Sequence, residues 1–343
     1  MHQLLRYSAV LVAGLVVGLC GCGKGSSNAA QQPASTSSEP PADHVVAVAN
    51  GTPLVWADME KRAMGYLKDD VETNHLLIPT NRMDEAKEYF RRRSISAFIF
   101  KTLMMDEAAK QNIKLTEADR REGLMALAQS LKTRNWTTND FFTKGPLGEA
   151  SMRREFGDGM IIDKLLKVNV RATLRVTSKE IADTIDAIDA TNDLKRVKLE
   201  DVRKQLLTGV SFEDVARTVS ECPSAKNGGN LGEFARGKMD KAFEDAAFSQ
   251  AIGVAGPVVQ THLGYHIIKV TAHTPAKAAA ATTPAVPETV RASHILLKRM
   301  PVDRKIITDQ LVRAKYNAGV QKYFADLKAK SKITCYLYKD LTF

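Results

Sequence analysis

Apolar and polar positions alternate in two registers along this chain, and the register changes divide it. From His44 the run VVAVANGTPLV reads as a short apolar strand over 45–49, an Asn50-Gly51 turn and a return, with a helix opening near Trp56. Helical spacing then dominates. In 83–111, Ile95, Phe98, Ile99, Thr102 and Leu103 fall on one face. Thr116 with Asp119 opens a further helix, Gly145-Pro146 breaks the pattern, and another helix covers about 148–168. Thr177 followed by Glu180 forms a capping box for a helix through about 190, with a separate helix at about 196–208. Strand patterns return at 264–270 and 290–298, on either side of an Ala/Pro/Thr stretch, 271–289, that reads as a linker. Residues 305–330 are amphipathic, with Val312, Tyr316, Val320, Tyr323, Phe324 and Leu327 on a shared face, and 332–338 alternates like a strand.

The N-terminal segment is of another kind. Arg6 precedes the apolar run SAVLVAGLVVGL, too short to span a bilayer, so 1–21 reads as a signal peptide. Leu19-Cys20-Gly21-Cys22 resembles a bacterial lipobox, which makes Cys22 the expected lipidation site; an ordinary cleaved signal peptide is the alternative. Residues 22–43 contain no aromatic and no branched apolar side chain and cannot offset their chain entropy by burial, so they read as a flexible tether.

Composition narrows the remainder. The 343 residues, 44% hydrophobic, allow two modest domains with their own cores. The net charge of +10 suits anionic lipid or acidic segments of other chains, or simply a solvated basic surface. No basic motif is interleaved with aromatics, so nucleic acid is not an expected partner. The four cysteines show no metal-ligand spacing, and neither metal nor cofactor is expected. After Cys20 and Cys22 only Cys222 and Cys335 remain, and a single bridge between them is open in an oxidising compartment.

The chemistry lies in 221–270, ECPSAKNGGNLGEFARGKMDKAFEDAAFSQAIGVAGPVVQTHLGYHIIKV, and in VRASHILLK at 290–298. Both resemble the parvulin family of peptidyl-prolyl cis/trans isomerases, in an unusual order. In the usual parvulin the ASHIL strand opens the domain and the GYHIIKV strand closes it; here the opening strand lies downstream. First and last strands of that fold are antiparallel neighbours, which a hairpin-type connection can join, so the sheet can be restored. The rival account makes VRASHILLK the remnant of a second, truncated isomerase repeat. Both can describe the same event; what matters physically is whether 291–297 adds to the sheet beside 264–270.

The resemblance implies a catalytic set of His294, His266, Cys222 and Thr261, the threonine bonding to His266. It implies a proline cup of Leu231, Met239 and Phe243, with Phe234 beneath. Asp240 stands where relatives often carry a glutamine that binds substrate backbone; an ionised acid accepts hydrogen bonds there but does not donate. Lys298, Arg299 and Arg304 occupy the loop that phosphate-specific parvulins make basic, but they read here as surface charge. The strand and turn after His44 are similar to the opening of SurA/PrsA-type foldases, whose last helix returns to the first domain. The implied fold is α+β: a mostly helical SurA-N-like chaperone domain plus a parvulin-like domain with a four-stranded antiparallel sheet and helices, its first strand permuted to the C-terminal side. The expected layout is a signal peptide (1–21), tether (22–43), helical chaperone domain (44–190), permuted isomerase domain (191–298, with linker 271–289), and a helix and strand (299–343) returning to the chaperone domain, with 332–338 pairing to 45–49. The implied function is a prolyl isomerase and chaperone acting on unfolded or partly folded exported proteins with X-Pro bonds. It would be held to the membrane through its N-terminal lipid, facing the periplasm. Lys24 after Gly23 does not resemble an inner-membrane retention signal and favours the outer membrane. A non-catalytic, peptide-binding holdase lipoprotein is the alternative function.

Overall fold

The computed structural model describes residues 39–72, 75–279, 285–338 and Leu341. The signal peptide, Cys22 and most of the tether lie outside the described residues. Among the described residues, no helix is long and apolar enough to cross a membrane.

Two compact units divide the chain, one running to Arg175 and resuming at Val312, the other Val176–Leu311. The first begins with β1 (Val45–Ala49) and β2 (Thr52–Val55), joined through Asn50 and Gly51 at φ 48° and 85°. Two successive left-handed residues are what a tight antiparallel hairpin demands, and Asn-Gly supplies them at least cost. Helices α1 (Trp56–Glu72), α2 (Met83–Lys110), α3 (Glu117–Leu131), α4 (Thr138–Thr143) and α5 (Glu149–Asn169) follow. Thr116 and Thr137 each close a capping box with an aspartate three residues on. Ile95, Ile99 and Leu103 are buried with Met59 and Val46 in one apolar cluster, against which Phe98 packs.

The second unit opens with α6 (Ser178–Leu207), then α7 (Phe212–Val219), β3 (Asn230–Ala235), α8 (Lys241–Ser249), β4 (Val259–Gln260), β5 (Gly264–Thr274) and β6 (Thr289–Lys298). Its sheet is antiparallel in the order β3-β6-β5-β4. The displaced VRASHILLK segment is therefore a central strand, paired with β5 from Gly264↔Lys298 to Thr274↔Thr289. Leu199, Val202 and Leu206 of α6 pack with Phe212, Ile267, Ile295 and Leu297 on one face, while Phe234, Phe243, Phe248, Ile268 and Val290 fill the other.

Helix α9 (Arg304–Ala329) begins in this unit and enters the first at Val312, where Tyr316, Val320, Tyr323, Phe324 and Leu327 join Phe100, Met104, Ile162 and Leu165. Strand β7 (Ile333–Cys335) then pairs antiparallel with β1 through Ala47↔Cys335 and Ala49↔Ile333. Only these three residues of 332–338 form a strand; Tyr336 and Leu337 both donate to the Val46 carbonyl.

Two expectations need correction. No boundary falls at 190/191: α6 runs unbroken through it, because the charged side chains of TNDLKRVKLE lie toward solvent on a helix that buries Asn192 and Leu199. Asn192, inside that run, is buried, accepting from Met300 N at 2.9 Å and donating to Met300 O at 3.0 Å. The stretch 271–289 is not all linker either. Its ends extend the β5–β6 ladder, and Lys277 and Val286 form a further bridge beyond it.

Candidate active site

The site is built where β5 and β6 cross the sheet centre. His266 faces Leu296 and His294 faces Ile268 in register, so the two histidines are diagonal neighbours on one face. Their Nδ1 atoms lie 3.2 Å apart, with the ring planes within 22° of parallel. His266 Nε2 meets Thr261 Oγ1 at 2.8 Å, and His294 Nε2 meets Ser224 Oγ at 3.2 Å. Leu263 N–H donates to Thr261 Oγ1 at 3.1 Å. One proton arrangement satisfies the whole row: Thr261 O–H donates to His266 Nε2, His266 Nδ1–H donates to His294 Nδ1, and His294 Nε2–H donates to Ser224. The opposite sense leaves the buried Thr261 hydroxyl proton without a partner in the row.

Only neutral rings fit this row. Protonation of His294 would set two N–H groups face to face across the shared edge, and protonation of His266 would set an Nε2–H against the Thr261 hydroxyl proton. Burial is the main cause that holds His266 down to about 4, with the neighbouring His294 adding to it, and burial alone brings His294 to about 4.

Both imidazoles stand edge-to-face against Phe243 on α8, at 5.3 and 5.7 Å between centroids. Phe234 lies behind Phe243 at 6.2 Å, and Leu231 packs on the same cluster. Met239 stands at the open edge, 37% exposed. The loop that carries it is pinned by Glu244, whose carboxylate accepts from the backbone N–H groups of Gly237, Lys238 and Met239 at 3.0, 2.8 and 2.8 Å. Those bonds, Gly237's foremost, hold Glu244 below the usual carboxylate range.

The segment bearing Ser224 runs beside β6. Glu221 N donates to Leu296 O at 2.7 Å, and Ser220 Oγ accepts from Leu296 N at 3.1 Å. Gly229, at φ 78°, accepts from His294 N at 2.9 Å; a Cβ there would collide with the His294 carbonyl oxygen, so only glycine lets the two backbones approach.

The positions taken from the motif thus meet at one place, with two differences. Cys222 is half-buried at the start of the Pro223–Asn227 turn, and its thiol is a partner of neither imidazole; Ser224, two residues on, takes that position at His294. Asp240 caps α8 through Ala242 N at 3.0 Å, and its other oxygen meets His262 Nδ1 at 2.9 Å. Cys222 and Cys335 are both free thiols. Ser224, Glu244 and His262 were not singled out from the sequence. Of these, Glu244 left a signal: it interrupts the buried stripe of Phe243, Ala247 and Phe248 on α8, where an acid requires bound donors.

Residues 177–272 match the rotamase family described as the PPIC-type PPIase domain. Peptidyl-prolyl cis-trans isomerase Pin1 of Arabidopsis thaliana is 42% identical over 86 residues, which cover 25% of this chain and 72% of that protein. The chain belongs to the parvulin-type peptidyl-prolyl cis/trans isomerases. Beyond the isomerase unit, the foldase protein PrsA of Caldanaerobacter subterraneus subsp. tengcongensis is 25% identical over 254 residues, covering 68% of this chain and 76% of PrsA. A solved SurA-like chaperone from Campylobacter jejuni shares 12% identity at a TM-score of 0.34, covering 85% of this chain and 98% of that one.

Proposed function

We propose that this protein is a foldase of the bacterial cell envelope, in which an active, permuted prolyl isomerase unit works on exported chains that the helical unit keeps from aggregating. The observation that carries the catalytic part is the pair of neutral imidazoles, bonded edge to edge and backed by Phe243.

Resonance opposes rotation about an amide by about 18–20 kcal/mol, and X-Pro bonds relax over tens of seconds. No bond is made or broken, so neither nucleophile nor metal is required. The site must favour the twisted amide over the planar one; about 1.4 kcal/mol of preferential binding is tenfold in rate. Leu231, Met239 and Phe243 form the cup for the prolyl ring, with Phe234 behind it. The row from Thr261 through His266 and His294 to Ser224 holds every ring donor and acceptor in a fixed sense, so the floor of the site needs no reorganisation as the amide turns. Cys222, two residues before Ser224, is a free thiol and takes no part in this row.

The length of the similarity to PrsA supports the foldase role, and the lipobox-like run supports a lipid anchor at Cys22, facing the periplasm from the outer membrane. The test is cis-to-trans relaxation of a prolyl tetrapeptide by the purified chain from His44 onward, together with suppression of aggregation of an unfolded protein. Both activities are expected. Isomerisation should fall about tenfold or more in His294→Ala, His266→Ala and Phe243→Ala. Retained suppression with no isomerisation by the wild type would leave a peptide-binding holdase.

A further inference from the structure

Asp240 and His262 face each other at the rim of the apolar cup. Asp240 follows Met239 at the end of the loop pinned by Glu244. His262 lies between Thr261 and Leu263, in the turn between β4 and β5 that Thr261 N closes on Gly264 O at 2.8 Å. The 2.9 Å contact from His262 Nδ1 to Asp240 Oδ2 therefore ties the loop bearing a wall of the cup to the turn bearing the hydroxyl that ends on His266.

The division of labour within the carboxylate is informative. Capping α8 occupies Oδ1 alone, a task serine or asparagine performs equally well. The second oxygen is engaged by His262, whose side chain is 72% exposed, against 25% for Asp240. A pair so open to water adds little to global stability. Its influence nonetheless reaches the interior, since Asp240 favours and His262 opposes protonation of buried His266.

We infer that Asp240 and His262 are positioning residues that form a latch across the mouth of the proline cup, holding its two loops at the spacing that grips the prolyl segment. This rests on the isomerase reading and extends it. The latch replaces the expected role of Asp240 as a binder of substrate backbone: both carboxylate oxygens are engaged before substrate arrives. Clients would meet a rim made of Met239, the outer edge of the His262 ring and Leu263, itself 53% exposed, so an apolar residue beside the proline suits it better than an acidic one.

The experiment is a double-substitution cycle in the full chain, reading KM, kcat and thermal midpoint with an apolar-Xaa prolyl tetrapeptide. His262→Ala removes the donor. Asp240→Ser keeps the helix cap but is too short to reach residue 262. Each should raise KM roughly threefold to fivefold, the range of an exposed ion pair, with kcat little changed. The midpoint should move by less than about 2 °C. The double variant should be no worse than either single, and His262→Asn, whose amide nitrogen lies where Nδ1 was, should restore KM. Unchanged KM in both singles, or effects that multiply in the double variant, would overturn the latch. A wild-type chain with no isomerase activity would instead remove the underlying function, and the latch with it.

Discussion

At the residue scale, the site depends on two imidazoles that refuse protons. Both have an ordinary value of 6.5 and are held near 4 in the fold. Above about pH 6.5 folded and unfolded chains alike carry them neutral, and they put no slope on stability. As pH falls from there towards 4, the unfolded chain binds two protons that the folded site excludes, so stability declines across that window. It levels off once the folded rings also protonate. In His266→Asn/His294→Asn, urea midpoints should lose the part of this slope due to the pair. In the wild type, kcat should stay flat from pH 8 to near 5; a midpoint near 6.5 would contradict the closed row. The histidines, Thr261 and Phe243 were legible because they sit in a long gapless motif. Ser224 and His262 were not, because their partners His294 and Asp240 lie 70 and 22 residues away in sequence, and spacing does not encode a contact made through a sheet or across a loop.

Among the elements, β6 carries the greatest share. It lies between β3 and β5, delivers His294, and buries Ile295 and Leu297 on one face and Val290 and Ala292 on the other. Ile295→Ala should cost about 2–5 kcal/mol, the range for emptying a filled core position, and should lower isomerase activity in proportion to the population that loses the strand. Denaturant melts alongside tetrapeptide assays check this; an unchanged melt would place β6 outside the core. Strand and capping signals were easy to read: Asn50-Gly51, Thr116-Asp119 and Thr177-Glu180 each do locally what their chemistry dictates. The 30-residue length of α6 was harder. Its charged middle resembles a connection, and what anchors it, besides Leu199, Val202 and Leu206, is a pair of bonds from Asn192 to the backbone of Met300, 108 residues on. Alternation likewise marked only part of the hairpin, since the Ala/Pro/Thr composition of 271–289 masks a ladder that continues to Thr274 and Thr289.

Across the whole molecule, the two ends of the described chain meet in one sheet, where β7 completes the edge of β1 and Tyr338 reaches Glu88 with its hydroxyl at 2.8 Å. Removing residues 332–343 would uncover Val46, Ala47 and Ala49 and leave an open strand edge, so the helical unit should lose stability and gain a tendency to associate. The isomerase unit has its own apolar clusters, and its activity should survive the truncation. Light scattering and tetrapeptide relaxation on the same preparation separate these outcomes; joint loss would show that the units stand or fall together.

The reversed strand order also changes how the isomerase unit can assemble. Its longest ladder now joins consecutive strands, Thr274 against Thr289, so the pairing that brings the two histidines together closes a short loop, and local pairings form fast. The same reversal makes the middle strand the last of the four to emerge during synthesis. Until it arrives β3 has no neighbour in the sheet, since β6 is the strand that separates it from β5.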